Sequence, residues 1–244
     1  MGSEDVRAYS LGLMQAHYAP RTIAFQSEIF HPLVEADAHR LQRLHNEQFQ
    51  GAAPAYTDFA LLQNGATLSN PVTRPGAISS ASFTQDRIVF REELSHLTVD
   101  EFARRVRTMT EAACAALGVQ VLTAHQVTVR TLVNTRNFRD SRNYLKEGMF
   151  GFSGQVEEFA REPQLYGLRL VFPPSESEPN AHALRIESFH GDPRSLFLEN
   201  QASFPPLLVA RGIETLEQHV QETYTFLVER ALAFVGRFDV RAEA

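Results

Sequence analysis

Six side chains in the second half of the chain have the types that recognise anions: Arg130, Arg169, Arg185, Glu187, Arg194 and Glu199. A guanidinium offers paired N–H donors to a carboxylate or phosphate, and a carboxylate set among such groups can orient them. Each of the six falls on a stretch that the residue pattern assigns to a strand. On one shared sheet face they would pair across strands, each pair contributing about 0.2–1 kcal/mol. The plain reading is a charged ladder on a solvated face. The functional reading is an arginine-lined surface for an anionic ligand or an acidic partner segment. Phe138, Phe150, Phe152 and Phe159 lie in the irregular stretch between these strands, as core or as the rim of a groove.

Other chemistry is weakly signalled. Glu35 and His39 stand four apart with His31 just before them, but the His-Glu-x-x-His spacing of zinc hydrolases is absent, and solvated helix residues are expected. His125, His182 and His190 sit at strand ends, where polar residues are ordinary. Gly151-Phe-Ser-Gly154 is one residue short of a nucleophile elbow, so Ser153 is not assigned as a nucleophile. Glu157-Glu158 reads as a solvated pair. There is no glycine-rich phosphate loop. No catalytic residue, metal ligand or cofactor is assigned.

The totals bound the partners. The chain has 244 residues, 43% of them hydrophobic and 18 of them Phe, enough to bury a sizeable core. The formal net charge is −6, and the richest basic stretch, Arg130 to Lys146, is diluted by Asp140, so a nucleic-acid partner is not expected. One cysteine, Cys114 in an alanine-rich run, forms no internal disulfide and reads as a small buried hydrophobe. With no apolar run behind Met1 and no window long enough to span a bilayer, the expectation is a cytoplasmic protein without a membrane segment.

The elements that must position these residues follow a repeated grammar. Apolar residues at Val99, Phe102, Val106, Met109, Ala113 and Leu117 define one long helix; Ile213, Leu216, Val220, Tyr224, Leu227, Ala231 and Phe234 define another, over 212–236. Thr98-Val-Asp-Glu101 is a capping box that starts the first, and Gly118 suits its left-handed end. Alternation predicts strands over 22–29, 56–62, 66–70, 78–84, 87–93, 127–133, 165–172, 183–189 and 194–200, with a hairpin at Asn64-Gly65. Helices are expected over 34–49 and 140–146.

Residues 1–20 form a lead-in, 21–118 a first unit and 119–244 a second, in one compact body. Arg87-Ile-Val-Phe-Arg-Glu92 lies over Arg194-Ser-Leu-Phe-Leu-Glu199, matching Arg, Phe and Glu. The fold class is therefore α+β, read as a tandem duplication of a β-α-β(3–4)-α unit, with a curved antiparallel sheet and two long helices on one face.

That order resembles the duplicated half of the TATA-box-binding fold, and also helix-grip folds. Val127-Thr-Val-Arg130-Thr-Leu-Val-Asn134, together with Leu216 and His219, resembles a sporadically distributed family of uncharacterised bacterial proteins of about this length. This resemblance implies a bacterial origin and no activity. The function expected is that of a non-catalytic binding or adaptor protein with a protein partner or a second copy, using the open sheet face or the 148–160 loop. The alternatives are a small-ligand-binding helix-grip domain and an enzyme with an unrecognised Arg/Glu site.

Overall fold

Alternation along Arg21–Phe30 puts Phe25, Ser27 and Ile29 on one side, all buried, and Gln26 and Glu28 on the other. In the computed structural model, which describes residues 18–51, 54–151 and 159–240, this stretch is the middle strand of a nine-stranded sheet. The elements of the first half are β1 (Arg21–Phe30), α1 (Ala38–Phe49), β2 (Asp58–Leu62), β3 (Gly65–Ser69), β4 (Ile78–Thr84), β5 (Arg87–Glu93) and α2 (Val99–Leu117). The second half brings β6 (Val121–Leu122), β7 (Ala124–Asn134), α3 (Ser141–Asn143), β8 (Gly167–Phe172), β9 (Ala181–Ser188), β10 (Ser195–Phe204) and β11 (Leu207–Leu208). A π-helical turn, Tyr144–Met149, extends α3. The final helical run is α4 (Val209–Gly212), α5 (Thr215–Thr225), a π-helical turn Phe226–Ala231 and α6 (Leu232–Gly236).

The sheet order is β2-β3-β4-β5-β1-β7-β10-β9-β8, and every pairing in it is antiparallel. β1 and β7 join the halves at the centre. In each half the chain leaves its central strand for the outer edge of the sheet and steps back inward, and its long helix follows the strand beside that centre. The protein is thus α+β, with a large antiparallel sheet and a few helices. The likeness of the halves is one of winding.

Among the described residues, helices cover one face only. Phe102 of α2 stacks on Phe25 of β1 at 5.1 Å, and Leu216, Val220 and Leu227 are fully buried beneath the last helix. Each such side chain contributes about 1.5–3 kcal/mol by leaving water. Arg107 of α2 pairs with Glu217 of α5, tying the two helices along their exposed sides. The capping box is present: the Thr98 hydroxyl accepts from the Glu101 amide, and the Glu101 carboxylate accepts from the Thr98 amide. Gly118 ends the helix in the left-handed region at φ 74°.

Four expectations are corrected. The Asn64-Gly65 pair is not the turn: Gln63 and Asn64 are, and Gly65 opens β3 opposite Leu62. Glycine is required there for a different reason, since a Cβ would lie 1.9 Å from the Phe83 carbonyl oxygen. The first helix begins at Ala38 instead of residue 34, because the Asp37 carboxylate caps the amides of His39 and Arg40.

The last helix is not uniform, the third correction. Its π turn inserts one residue and rotates the buried stripe, so Leu232 and Val235 are buried while Phe234 is only partly covered. Fourth, the residue match between 87–92 and 194–199 fails. Phe90 and Glu92 point into the core with Ile88, whereas the inward side chains of β10 are Leu196, Leu198, Asn200, Ala202 and Phe204. Phe197 and Glu199 face the other way, one residue out of step.

Candidate functional site

The uncovered sheet face holds most of the predicted group. Register places Arg169, Arg185, Glu199 and Arg130 directly across β8, β9, β10 and β7. Arg130 donates from Nε to Glu199 Oε2 at 2.6 Å. Arg185 lies 3.6 Å from both Glu199 and Glu187, too far for a hydrogen bond, with its guanidinium 4.9 Å above the Phe197 ring. Its Nε is buried without a hydrogen-bond partner. Arg169 is exposed and stands directly opposite Arg185. Gly167, opposite Glu187, leaves room for that side chain: a Cβ would meet the Glu187 Cγ at 2.6 Å and the Ile186 carbonyl oxygen at 3.0 Å.

Arg194 is not with them. It sits in the turn before β10, its amide donating to Asp192. It was expected on a strand, but the Gly191-Asp-Pro193 turn runs one residue further than the alternation suggested. Of the phenylalanines, Phe138 and Phe150 pack against the core and Phe159 is 70% exposed. Phe152, Ser153, Glu157, Glu158 and most of the 148–160 loop lie outside the described residues.

Two polar clusters on the helix-covered face were missed in the sequence. The first surrounds Glu92, whose side chain is fully buried. Its Oε1 accepts from Arg105 Nη1 at 2.6 Å, Ser79 Oγ at 3.0 Å and Tyr56 Oη at 3.3 Å. Its Oε2 has no hydrogen bond of normal geometry, although Ser95 lies close enough to ease the charge. Burial raises the Glu92 pKa, and Arg105 and Ser79 pull against that. The Arg105 guanidinium lies 5.0 Å from the Tyr56 ring centre, and burial pushes that phenol far up.

Ser79, Glu92 and Arg105 border a cleft of about 170 Å³ between β4, β5 and α2, walled by Pro71, Thr73, Ser95 and Leu97 from two irregular loops. The loop after β5 is strained, with Leu94 at φ 50° and His96 at φ 66°. The available signal was the parity of β5. Glu92 falls on the same side as Ile88 and Phe90, an acid among core residues.

The second cluster lies under the last helix. Ser27 Oγ and His125 Nε2 are 2.8 Å apart, and His125 Nδ1 meets His219 Nδ1 at 2.9 Å. His219 stacks on Phe204 at 3.8 Å, and His182 stacks on Phe226 at 4.1 Å, at the start of the π turn. Burial holds His125 well below its ordinary pKa and brings His219 down to about 4, so one neutral ring donates to the other at neutral pH. His182 lines a cleft of about 410 Å³ and His219 a neighbouring one of about 290 Å³, and the two clefts share Pro179, Asn180 and Glu222. Ser27 is fully buried, so it orients His125 and is no nucleophile. Sequence reasoning set His125 and His182 aside as strand-end residues; both occupy inward positions.

Among the described residues, no three His, Cys, Asp or Glu side chains gather as a metal site requires. Among the same residues, no helix is long and apolar enough to cross a membrane. No protein-family model matches the chain, and no curated protein matches it. The similarities at Arg130, Asn134, Leu216 and His219 therefore bring no function to these residues.

Proposed function

We propose that this is a non-catalytic binding protein whose uncovered sheet face takes an extended acidic segment of a partner protein. The observation that carries the reading is the juxtaposition of Arg169 and Arg185 on neighbouring strands. Like charges directly opposite on a sheet are unfavourable by themselves. Arg185 has no hydrogen-bonded counter-ion, and Glu199 already serves Arg130. A carboxylate laid across the two arginines would remove the repulsion and complete both groups. Arg130, Glu199 and Glu187 would set its position beside them. The enzyme reading of Arg130, Arg185 and Glu187 has less support, because these side chains lie along a sheet face and line none of the clefts described above. The lone, reduced Cys114 supports a cytoplasmic setting, and the shared winding of the two halves supports their origin as copies of one module.

The test uses fluorescently labelled peptides with alternating Glu and Val, titrated into the full chain and followed by anisotropy. Binding should weaken about tenfold in Arg169→Ala and further in Arg169→Ala with Arg185→Ala, corresponding to roughly 1.4 kcal/mol for the first step. A melting temperature close to that of the wild type shows that the fold is kept. Equal binding by Lys-Val peptides, or none by Glu-Val peptides, sinks the reading.

A further inference from the structure

The cleft beside the last helix holds a polar pair that the sheet face does not use. His219 and Glu222 stand three apart on α5, so they share one side of that helix, and both line the cleft of about 290 Å³. Neither has its polar atoms fully engaged. His219 turns Nδ1 inward to His125 at 2.9 Å. Its Nε2 bonds to none of the described residues and is not sealed in the core, so it opens on the cleft that the ring lines. Glu222 is exposed, and among the described residues its carboxylate accepts only from Asn180 Nδ2, at 3.3 Å. The cation of the adjoining cleft, Arg230, is already paired with Glu178 at 2.9 Å.

The buried end of this chain of groups decides what His219 offers. Ser27 is fully buried, and among the described residues its hydroxyl has one partner, His125 Nε2 at 2.8 Å. A buried hydroxyl proton without an acceptor carries its desolvation penalty, so the Ser27 hydroxyl donates and His125 Nε2 accepts. Both rings are neutral at pH 7, which leaves the one proton of His125 on Nδ1, donating to His219 Nδ1. His219 therefore carries its own proton on Nε2 and presents an N–H donor to the cleft. The near-parallel Phe204 ring, 3.8 Å away, fixes the plane of that donor. One wall of the cleft thus offers a neutral donor and, a helical turn along, a carboxylate acceptor.

We propose that this cleft binds a small uncharged primary carboxamide carrying an aromatic group, its carbonyl accepting from His219 Nε2 and its amide nitrogen donating to Glu222. A carboxamide holds an acceptor and a donor side by side, and each meets its complement here. A carboxylate ligand would face Glu222 with like charge, and an ester or tertiary amide would bring it no donor, so the same two residues reject the close relatives. Phe204, Pro205, Pro206 and Leu207 line the same cleft and give the aromatic group an apolar surface. The size matches as well. At roughly 30 Å³ for each water-sized group, a cleft of about 290 Å³ takes about ten such groups, enough for a benzene ring with one carboxamide.

The experiment is a titration of the ¹⁵N-labelled full chain with benzamide at millimolar concentrations, followed by chemical shifts. Benzoate and N,N-dimethylbenzamide are the comparison probes. The expected result is saturable backbone shifts at Gln218, His219 and Glu222 with benzamide, and binding about tenfold weaker for each comparison probe. The imidazole nitrogens should show the His219 proton on Nε2 and the His125 proton on Nδ1. Glu222→Ala, at an exposed position, keeps the fold and should weaken benzamide binding about tenfold. The wild-type shift map and the probe comparison decide the matter without that variant. No saturable shift at these three residues with benzamide overturns the proposal. So does N,N-dimethylbenzamide binding as tightly as benzamide, or a His219 proton on Nδ1.

Discussion

Glu92 lies near the end of β5 and Glu199 in the middle of β10, each paired with an arginine, yet they belong to different physics. Glu92 is buried and its arginine comes from a helix packed on the sheet; Glu199 keeps 19% of its side chain exposed and its arginine comes from the neighbouring strand. The first pair had to leave water and is held by Ser79 and Tyr56 as well. The second stays at a solvated face, where screening leaves little energy in it. One step of strand parity separates a polar core site from a surface ladder, and the residue types alone do not reveal which is which.

The largest effect should come from breaking the buried pair. Arg105→Ala leaves Glu92 in the core without its cation and should lower the unfolding free energy by about 3–5 kcal/mol in urea titrations. Glu92→Leu combined with Arg105→Met should recover most of that loss, because the desolvation cost goes with the charges. If Arg105→Ala costs no more than a surface mutation, the two pairs are equivalent and the contrast is wrong.

Acidity should separate buried groups by sign. His219 has its folded pKa depressed to about 4, so its neutral form stabilises the fold above about pH 6.5, and that contribution is lost as pH falls from 6.5 towards 4. Glu92, with its folded pKa raised, works in the opposite direction. Protonation favours the fold, and this contribution is lost as pH rises through the raised pKa. Urea titrations at pH 7.5 and 4.5 should show His219→Gln losing roughly 1–2 kcal/mol less than the wild type over that interval. Glu92→Gln should lose more than the wild type, since it lacks the proton uptake that offsets the histidines.

On the solvated face the same measurements should find little. Arg130→Ala should cost about 0–1 kcal/mol, with the smaller values at high salt. The smallest expected change is a gain. His96 is exposed and left-handed, so His96→Gly should raise stability by roughly 0.5 kcal/mol, the relief of strain exceeding the added flexibility of the unfolded chain. A loss there would mean that the histidine side chain holds the rim of the Glu92 cleft.

Much of the scaffold was legible because it depends on local rules. The α2 helix follows from its apolar spacing, Thr98 and Glu101 at its start and Gly118 at its end, all read within one turn of the chain. Strands β4 and β5 fall where alternation placed them, at Ile78–Thr84 and Arg87–Glu93. Sequence neighbours pair from β2 through β5 and from β8 through β10, whereas the pairings of β1 with β5 and of β7 with β10 bridge whole segments and are not written in element order.

Tertiary structure alone decided which polar residues meet. Ser27, His125 and His219 are separated by 98 and 94 positions and touch only because β1 and β7 are the two central strands beneath α5. Glu92 becomes a buried, half-satisfied carboxylate only when Arg105, Tyr56 and Ser79 close around it from three other segments. Periodicity is a property of neighbouring residues and is written in the chain. Desolvation depends on everything packed around a group, and no stretch of sequence contains it.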